Sequence, residues 1–139
     1  MNIKCIKNRI NQMNNEEVIP SLCEILGKHI DEEIDWFELG QEYIVYAITF
    51  HKNIPFFCVL DEVGSLMETC AYFYEVIDGR FSRYWQFGYM SGNQESDTPC
   101  IAFKEWAEDM MFHEKVLDDY PKEVEIFSRY KKLMDEEFD

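Results

Sequence analysis

Apolar residues change their spacing twice along this chain, and the changes divide it into three parts. At the start, Ile3, Ile6, Ile10 and Met13 recur at three- and four-residue intervals, which predicts one face of a helix. Asn14-Asn15 interrupts it. Asn15 can cap a second helix, with Glu16 and Glu17 in the first turn, where the helix dipole favours acids. Val18, Leu22, Ile25 or Leu26, and Ile30 form the stripe of that helix, and Gly27 lies near its end. Pro20 either opens the helix or replaces an early backbone donor and kinks it.

After the acidic connection Asp31-Glu32-Glu33 the period shortens to two. Tyr43 to Phe50 reads as a strand apolar on both faces, His51-Lys52-Asn53 as a turn, and Ile54 to Leu60 as the returning strand, with Pro55 at its start. Asp61 to Thr69 reads as a connection. Cys70 to Tyr89, CAYFYEVIDGRFSRYWQFGY, reads as an aromatic hairpin turning at Asp78-Gly79, a pair suited to the φ > 0 positions of a tight primed turn. Asp35–Leu39 would add a fifth strand if it pairs.

Helical spacing returns after the polar loop from Met90 to Pro99. Thr98 as cap and Pro99 at the first position open a helix whose face is Phe103, Trp106, Ala107 and Met110. The alternative is a short extended Cys100–Phe103 with the helix starting later. Phe112, Val116, Leu117 and Tyr120 continue the pattern. Pro121 restarts it, and Val124, Phe127, Tyr130 and Met134 define a final helix. The expectation is one α+β domain over residues 1–139: an antiparallel β-meander of about four strands, with helices N-terminal and C-terminal to it.

Charge changes what this domain can bind. The net charge is −15, distributed as +1 over residues 1–30, −10 over 31–100 and −6 over 101–139. Phosphate binding needs a basic footprint, so the balance argues against nucleic acid and against anionic membrane surfaces, and it favours a basic protein partner. No apolar run reaches the length of a membrane span, and MNIKCIKNRINQM lacks the apolar core of a signal peptide, so a soluble cytoplasmic protein is expected. Five cysteines, an odd number without CxxC spacing, read as reduced and mostly buried thiols.

Candidate chemistry is thin. His113-Glu114 begins like a zinc-protease motif, but the second histidine is missing. Asp109 and His113, four residues apart, could share a helix face without a placeable third ligand. There is no Gly-rich phosphate loop, no GxSxG elbow, and no cysteine with an evident activating base. The expectation is therefore a protein that is not an enzyme, with no catalytic residue, no metal and no cofactor. Partner-binding candidates are the carboxylates of Asp31, Glu32, Glu33, Glu75 and Asp78 with the aromatic rings of Tyr84 and Trp85. Charge-rimmed tyrosine and tryptophan is hot-spot composition, and the alternative is that the hairpin's rings form an aromatic core covered on both faces by helices. The exposed edge of the hairpin also offers backbone groups for a homodimer.

The segment DGRFSRYWQFGY, followed by IAFKEWAEDMMFHEKVLDDYPKEVEIFSRYKKLMDEEF, resembles the C-terminal part of small bacterial immunity proteins of polymorphic and contact-dependent toxin systems. The resemblance lies in Ser82-Arg83-Tyr84-Trp85, in Glu105-Trp106, and in the run from Glu125 to Lys131. It implies a cytoplasmic, non-enzymatic inhibitor of one cognate toxin protein, often a nuclease. No contact residue carries over. Two other readings stand beside it: an acidic nucleic-acid mimic that inhibits a host or phage-defence protein, and a small-molecule binding domain with a pocket between sheet and helices.

Overall fold

A computed structural model describes residues 1–90 and 98–138, with backbone alone described at Tyr89 and Met90. The chain is α+β, with two antiparallel sheets and helices toward both ends. The first sheet has the order β2-β1-β6, from β1 (Asn2–Cys5), β2 (Glu42–Ile44) and β6 (Tyr74–Asp78). The second has the order β5-β4-β3-β8-β7, from β3 (Ala47–His51), β4 (Ile54–Leu60), β5 (Leu66–Cys70), β7 (Trp85–Met90) and β8 (Thr98–Phe103). Strands β3, β4 and β5 form the meander. The helices are α1 (Ile19–Leu26), α2 (Lys104–Ala107), α3 (Phe112–Leu117) and α4 (Pro121–Glu137).

The five-stranded sheet is the middle layer, which explains strands that are apolar on both faces. On one side Ile48, Phe57 and Val59 join a core with Ile3, Ile10, Leu22, Phe37, Tyr43 and Tyr74, contributed by the first sheet, α1 and the segments between them. On the other side Ala47, Cys58, Cys100, Ala102 and Phe103 join Trp106, Phe112, Phe127 and Met134 of the C-terminal helices. Rings fill both cores. Phe37, Tyr43 and Tyr74 meet edge to face, and Phe103 stacks on Tyr130 at 4.0 Å. All five cysteines are free thiols, and all but Cys23 are buried.

Several local expectations hold for identifiable reasons. Lys52 and Asn53 take φ of 50° and 65°, the primed turn that joins β3 to β4. Pro20 sits in the first turn of α1 and Gly27 closes that helix in the left-handed region. Asn15 Oδ1 accepts from the Glu17 amide at 3.1 Å but caps the short 3-10 helix Glu16–Val18 ahead of α1. Ile30, 49% exposed, lies beyond the helix it was expected to continue. The final helix begins at Pro121 as expected.

Others do not hold. Residues 2–5 are a strand, because Ile3 and Cys5 alternate inward while β2 and β6 pair with β1 on its two sides. Ile6 is 46% exposed, so the apparent helical stripe is no stripe; only Ile10–Gln12 makes a short 3-10 turn. The strand expected from Tyr43 to Phe50 breaks at Val45-Tyr46, where the chain passes from the first sheet to the second. There the Val45 amide donates to the Met1 carbonyl and the Tyr46 amide to the Cys58 carbonyl. Asp61–Thr69 holds a turn and most of β5, and Asp35–Leu39 forms no strand.

The aromatic hairpin is not one. Its first arm, β6, pairs with β1, and its second, β7, pairs with β8 in the other sheet. Gly79 does not take a positive φ, and Asp78 is turned onto Arg80 instead. Thr98-Pro99 opens strand β8, so the extended alternative for Cys100–Phe103 was the better one. Pro99 is tolerated because β3 pairs with β8 only at Ile101, two residues further on. Residues 91–97 of the expected loop lie outside the described residues.

Candidate functional site

Two tight turns bring four carboxylates to one groove. The first follows β4. Asp61 Oδ1 accepts from the amides of Val63 at 3.0 Å and Ser65 at 2.8 Å, closing the turn into β5 and leaving Glu62 exposed. The second precedes β2. The Gly40 amide donates to the Cys5 carbonyl at 2.8 Å and the Gln41 amide to the Glu38 carbonyl at 3.1 Å, so Glu38 and Glu42 flank this turn. Between the turns lies a groove of about 570 Å³ lined by Glu38, Gln41, Glu42, Tyr43, Ile44, Tyr46, Leu60, Asp61 and Glu62.

The floor is apolar and fixed, and the rim is anionic. Tyr43 and Tyr46 are buried. The Tyr43 hydroxyl accepts from the Glu38 amide at 3.2 Å, and the Tyr46 hydroxyl donates to Asp135 Oδ1 at 2.7 Å. Burial, together with the Asp135 carboxylate, pushes the Tyr46 phenol well up, so it stays neutral. Asp135 is itself balanced by Lys131 at 2.6 Å.

Among the described residues, none of the four groove carboxylates forms an ion pair, and no lysine or arginine lines the groove. The Glu42 carboxylate accepts a long bond, 3.5 Å, from Asn2 Nδ2. An arginine or lysine side chain matches this arrangement. Its methylene stem would lie along Tyr43, Ile44 and Leu60, and its head would reach carboxylates that lack an internal counter-charge.

The residues expected from the sequence fall in three other places. Asp31, Glu32 and Glu33 follow α1. Arg9 Nε donates to the Asp31 carbonyl at 3.2 Å, Glu32 pairs with Lys28 at 2.8 Å, and Glu33 accepts from Asn8 at 3.3 Å beside Arg9. Glu75 and Asp78 lie on β6, Glu75 across the ladder from Lys4. Arg80 grips both oxygens of Asp78, and this hydrogen bonding holds its carboxyl down to about 2.

The Arg83 guanidinium lies over the Tyr84 ring, which also meets Tyr130 edge to face. Trp85 donates from Nε1 to the Tyr46 carbonyl at 3.0 Å and meets Phe81 edge to face. Glu38 and Glu42 lie in the part of the chain, residues 31–100, that carries most of the net negative charge. Asp61 and Glu62 were missed, although two acids in a turn between apolar strands are a readable sign.

Two of the three histidines are tied into the fold. His51 Nε2 lies 2.8 Å from Glu68, and His113 Nε2 lies 2.8 Å from the Leu66 carbonyl. Asp109 turns to Lys115 and the Met111 amide, so it does not share a ligand with His113. Among the described residues no cluster of three or more histidine, cysteine, aspartate or glutamate side chains is placed to hold a metal, and no helix is long and apolar enough to cross a membrane. The chain matches no family model, and no curated protein or solved structure is significantly similar to it.

Proposed function

We propose that this chain is a non-enzymatic binding protein for a basic protein surface, and specifically a cytoplasmic immunity protein that neutralises a cognate toxin domain of nuclease type. The observation that carries the reading is the groove, where Glu38, Glu42, Asp61 and Glu62 surround an apolar floor without a counter-charge in a chain of net charge −15. The resemblance of the C-terminal segment to immunity proteins narrows a basic partner to a toxin. A nuclease must carry basic residues to hold nucleic acid, and an uncompensated anionic groove competes for them. The same field steers association, and fast capture is what self-protection requires.

The test is a pull-down from the source bacterium on the immobilised chain, eluted in a salt gradient, followed by activity assays on whatever is retained. The expected result is one basic domain, released only at high salt, whose nuclease activity the chain suppresses in equimolar amount. Retention of several unrelated host nucleic-acid enzymes would replace the reading with nucleic-acid mimicry. Retention of nothing, with a small metabolite bound instead, would replace it with ligand binding.

A further inference from the structure

The turn that joins β4 to β5 separates two grooves. On one side lies the acidic groove, lined there by Leu60, Asp61 and Glu62. On the other lies a second groove of about 370 Å³, between Leu60, Gly64 and Leu66 and the helical residues Val116, Leu117 and Phe127. Leu60 lines both. The turn between them is tied down by its own hydrogen bonds. Asp61 Oδ1 accepts from the Val63 and Ser65 amides, the Gly64 amide donates to the Asp61 carbonyl at 3.1 Å, and the Asp61 amide donates to the Ser65 carbonyl at 2.9 Å. A turn closed in this way holds the two grooves at a fixed separation.

The second groove differs in chemistry from the first. Leu66 and Phe127 at its floor are buried, Leu60 and Val116 are half-buried, and Leu117 is 48% exposed. Its cation, Lys131, is paired with Asp135 at 2.6 Å, and Asp119 is exposed. On the turn between the grooves stands Val63, 86% exposed, the most open large apolar side chain among the described residues. The turn uses only the Val63 backbone amide. Such positions favour glycine, asparagine, aspartate or serine, so a branched aliphatic side chain there serves neither the turn nor the core.

Charge complementarity makes one residue of the occupant an arginine or lysine. Continuity across Leu60 and Val63 makes a neighbouring one apolar. We infer that the two grooves together take one basic–apolar segment of the protein partner: the cationic side chain in the acidic groove, the main chain crossing Val63, and a leucine- to phenylalanine-sized side chain in the second groove. The inference rests on the reading of the acidic groove as a site for a basic protein, and it names the kind of segment that enters. The two halves act on different rates. Uncompensated carboxylates speed the approach of any basic surface, while apolar burial slows the departure of the right one. A surface that is only basic engages half of the site, so the second groove selects among basic proteins.

The test titrates capped peptides into the isotopically labelled full chain at low salt and follows its amide shifts by NMR. One peptide carries a single arginine among glycines and one a single leucine. The others carry both, separated by one to five glycines, a reach of up to about 20 Å. The expected result is that the arginine–leucine peptide of best spacing shifts the amides of Glu42 and Tyr43 together with those of Gly64 and Leu117. It should bind about tenfold more tightly than the arginine peptide. Val63→Ser and Leu117→Ser should each remove most of that gain, with circular dichroism unchanged because both side chains are exposed. Arginine–leucine peptides that shift Glu42 and Tyr43 but bind no more tightly than arginine alone would overturn the inference and leave the basic-partner reading standing. A gain untouched by both substitutions would do the same. No shift of Glu42 and Tyr43 with any arginine peptide would overturn that reading and this inference together.

Discussion

The acidic groove and the β7 edge use the same kinds of residue to opposite effect. At the edge, each acid has its own arginine. Arg80 holds Asp78 at 2.6 Å, and Glu137, mostly buried, takes Arg83 at 3.2 Å. In the groove, Glu38, Glu42, Asp61 and Glu62 have none. Both regions display tyrosine, tryptophan or phenylalanine, but the groove tyrosines are buried and hydrogen-bonded, while Phe81 and Phe87 at the edge are more than half exposed. Net charge alone therefore does not locate a binding surface. Charge left without an internal partner does, because only that charge attracts a partner without first breaking a native ion pair.

The largest expected effect separates the two regions through stability. Gly88 lies under α2, and a Cβ built there would stand 2.5 Å from the Ala107 carbonyl oxygen and 2.9 Å from the Ala107 Cβ. Neither neighbour is the end of a flexible chain. Gly88→Val should destabilise the fold by about 2–3 kcal/mol, read as a lower urea midpoint. The groove is built by other turns, so affinity per folded molecule should be preserved. A midpoint within about 0.5 kcal/mol of wild type would mean that α2 does not clamp β7.

The next effect compares carboxylates directly. Glu38→Gln, Glu42→Gln, Asp61→Asn and Glu62→Gln together should slow association with the basic partner by about tenfold or more at low salt and flatten its salt dependence. Asparagine keeps the Oδ1 acceptor that closes the turn at position 61. A matched set, with glutamine at Glu32, Glu33 and Glu75 and asparagine at Asp31, should slow it less, because Glu32 and Glu33 already face Lys28 and Arg9. Equal effects from the two sets, measured by stopped flow, would sink the distinction. Trp85→Phe comes third. It removes the bond to the Tyr46 carbonyl that ties β7 to the groove floor, and should cost about 1 kcal/mol in denaturant titration.

The sequence showed the parts whose signals are local. The turn at Lys52-Asn53, the Gly27 stop and the Pro121 start each depend on a few neighbouring residues, and each is where the pattern put it. Pairing between distant strands carries no such signal. Nothing near Asp78-Gly79 reveals that β1, more than seventy residues earlier, lies beside β6. The same holds for the groove. Glu38 and Glu42 lie in the strongly acidic part of the chain, residues 31–100, but the approach of Asp61 and Glu62 depends on where β4 ends against β2. Whether an acid is paired, as Glu32 is by Lys28, or open, as Glu62 is, depends on geometry that composition does not contain.

The smallest effect contrasts the two ends of the five-stranded sheet. At β5 the edge carries Glu68, which accepts from Thr49 at 2.9 Å and meets His51 at 2.8 Å, while β7 contains no charged residue. The hydrogen bond to Glu68 raises the His51 pKa, with burial opposing it. Burial works to raise Glu68, and the bonds from His51 and Thr49 outweigh it, leaving its carboxyl lowered. The His51 contribution is complete below its ordinary value of 6.5 and is lost as pH rises through the raised folded value. The Glu68 contribution is complete above its ordinary value of 4.5 and is lost as pH falls through the lowered one. The pair therefore stabilises most between those two ordinary values. Stability should fall on the order of 0.5 kcal/mol between about pH 6.5 and 8, a modest amount because His51 is partly solvated. Glu68→Gln should flatten that decline in urea titrations run across the range. An unchanged slope would mean that His51 titrates free of Glu68.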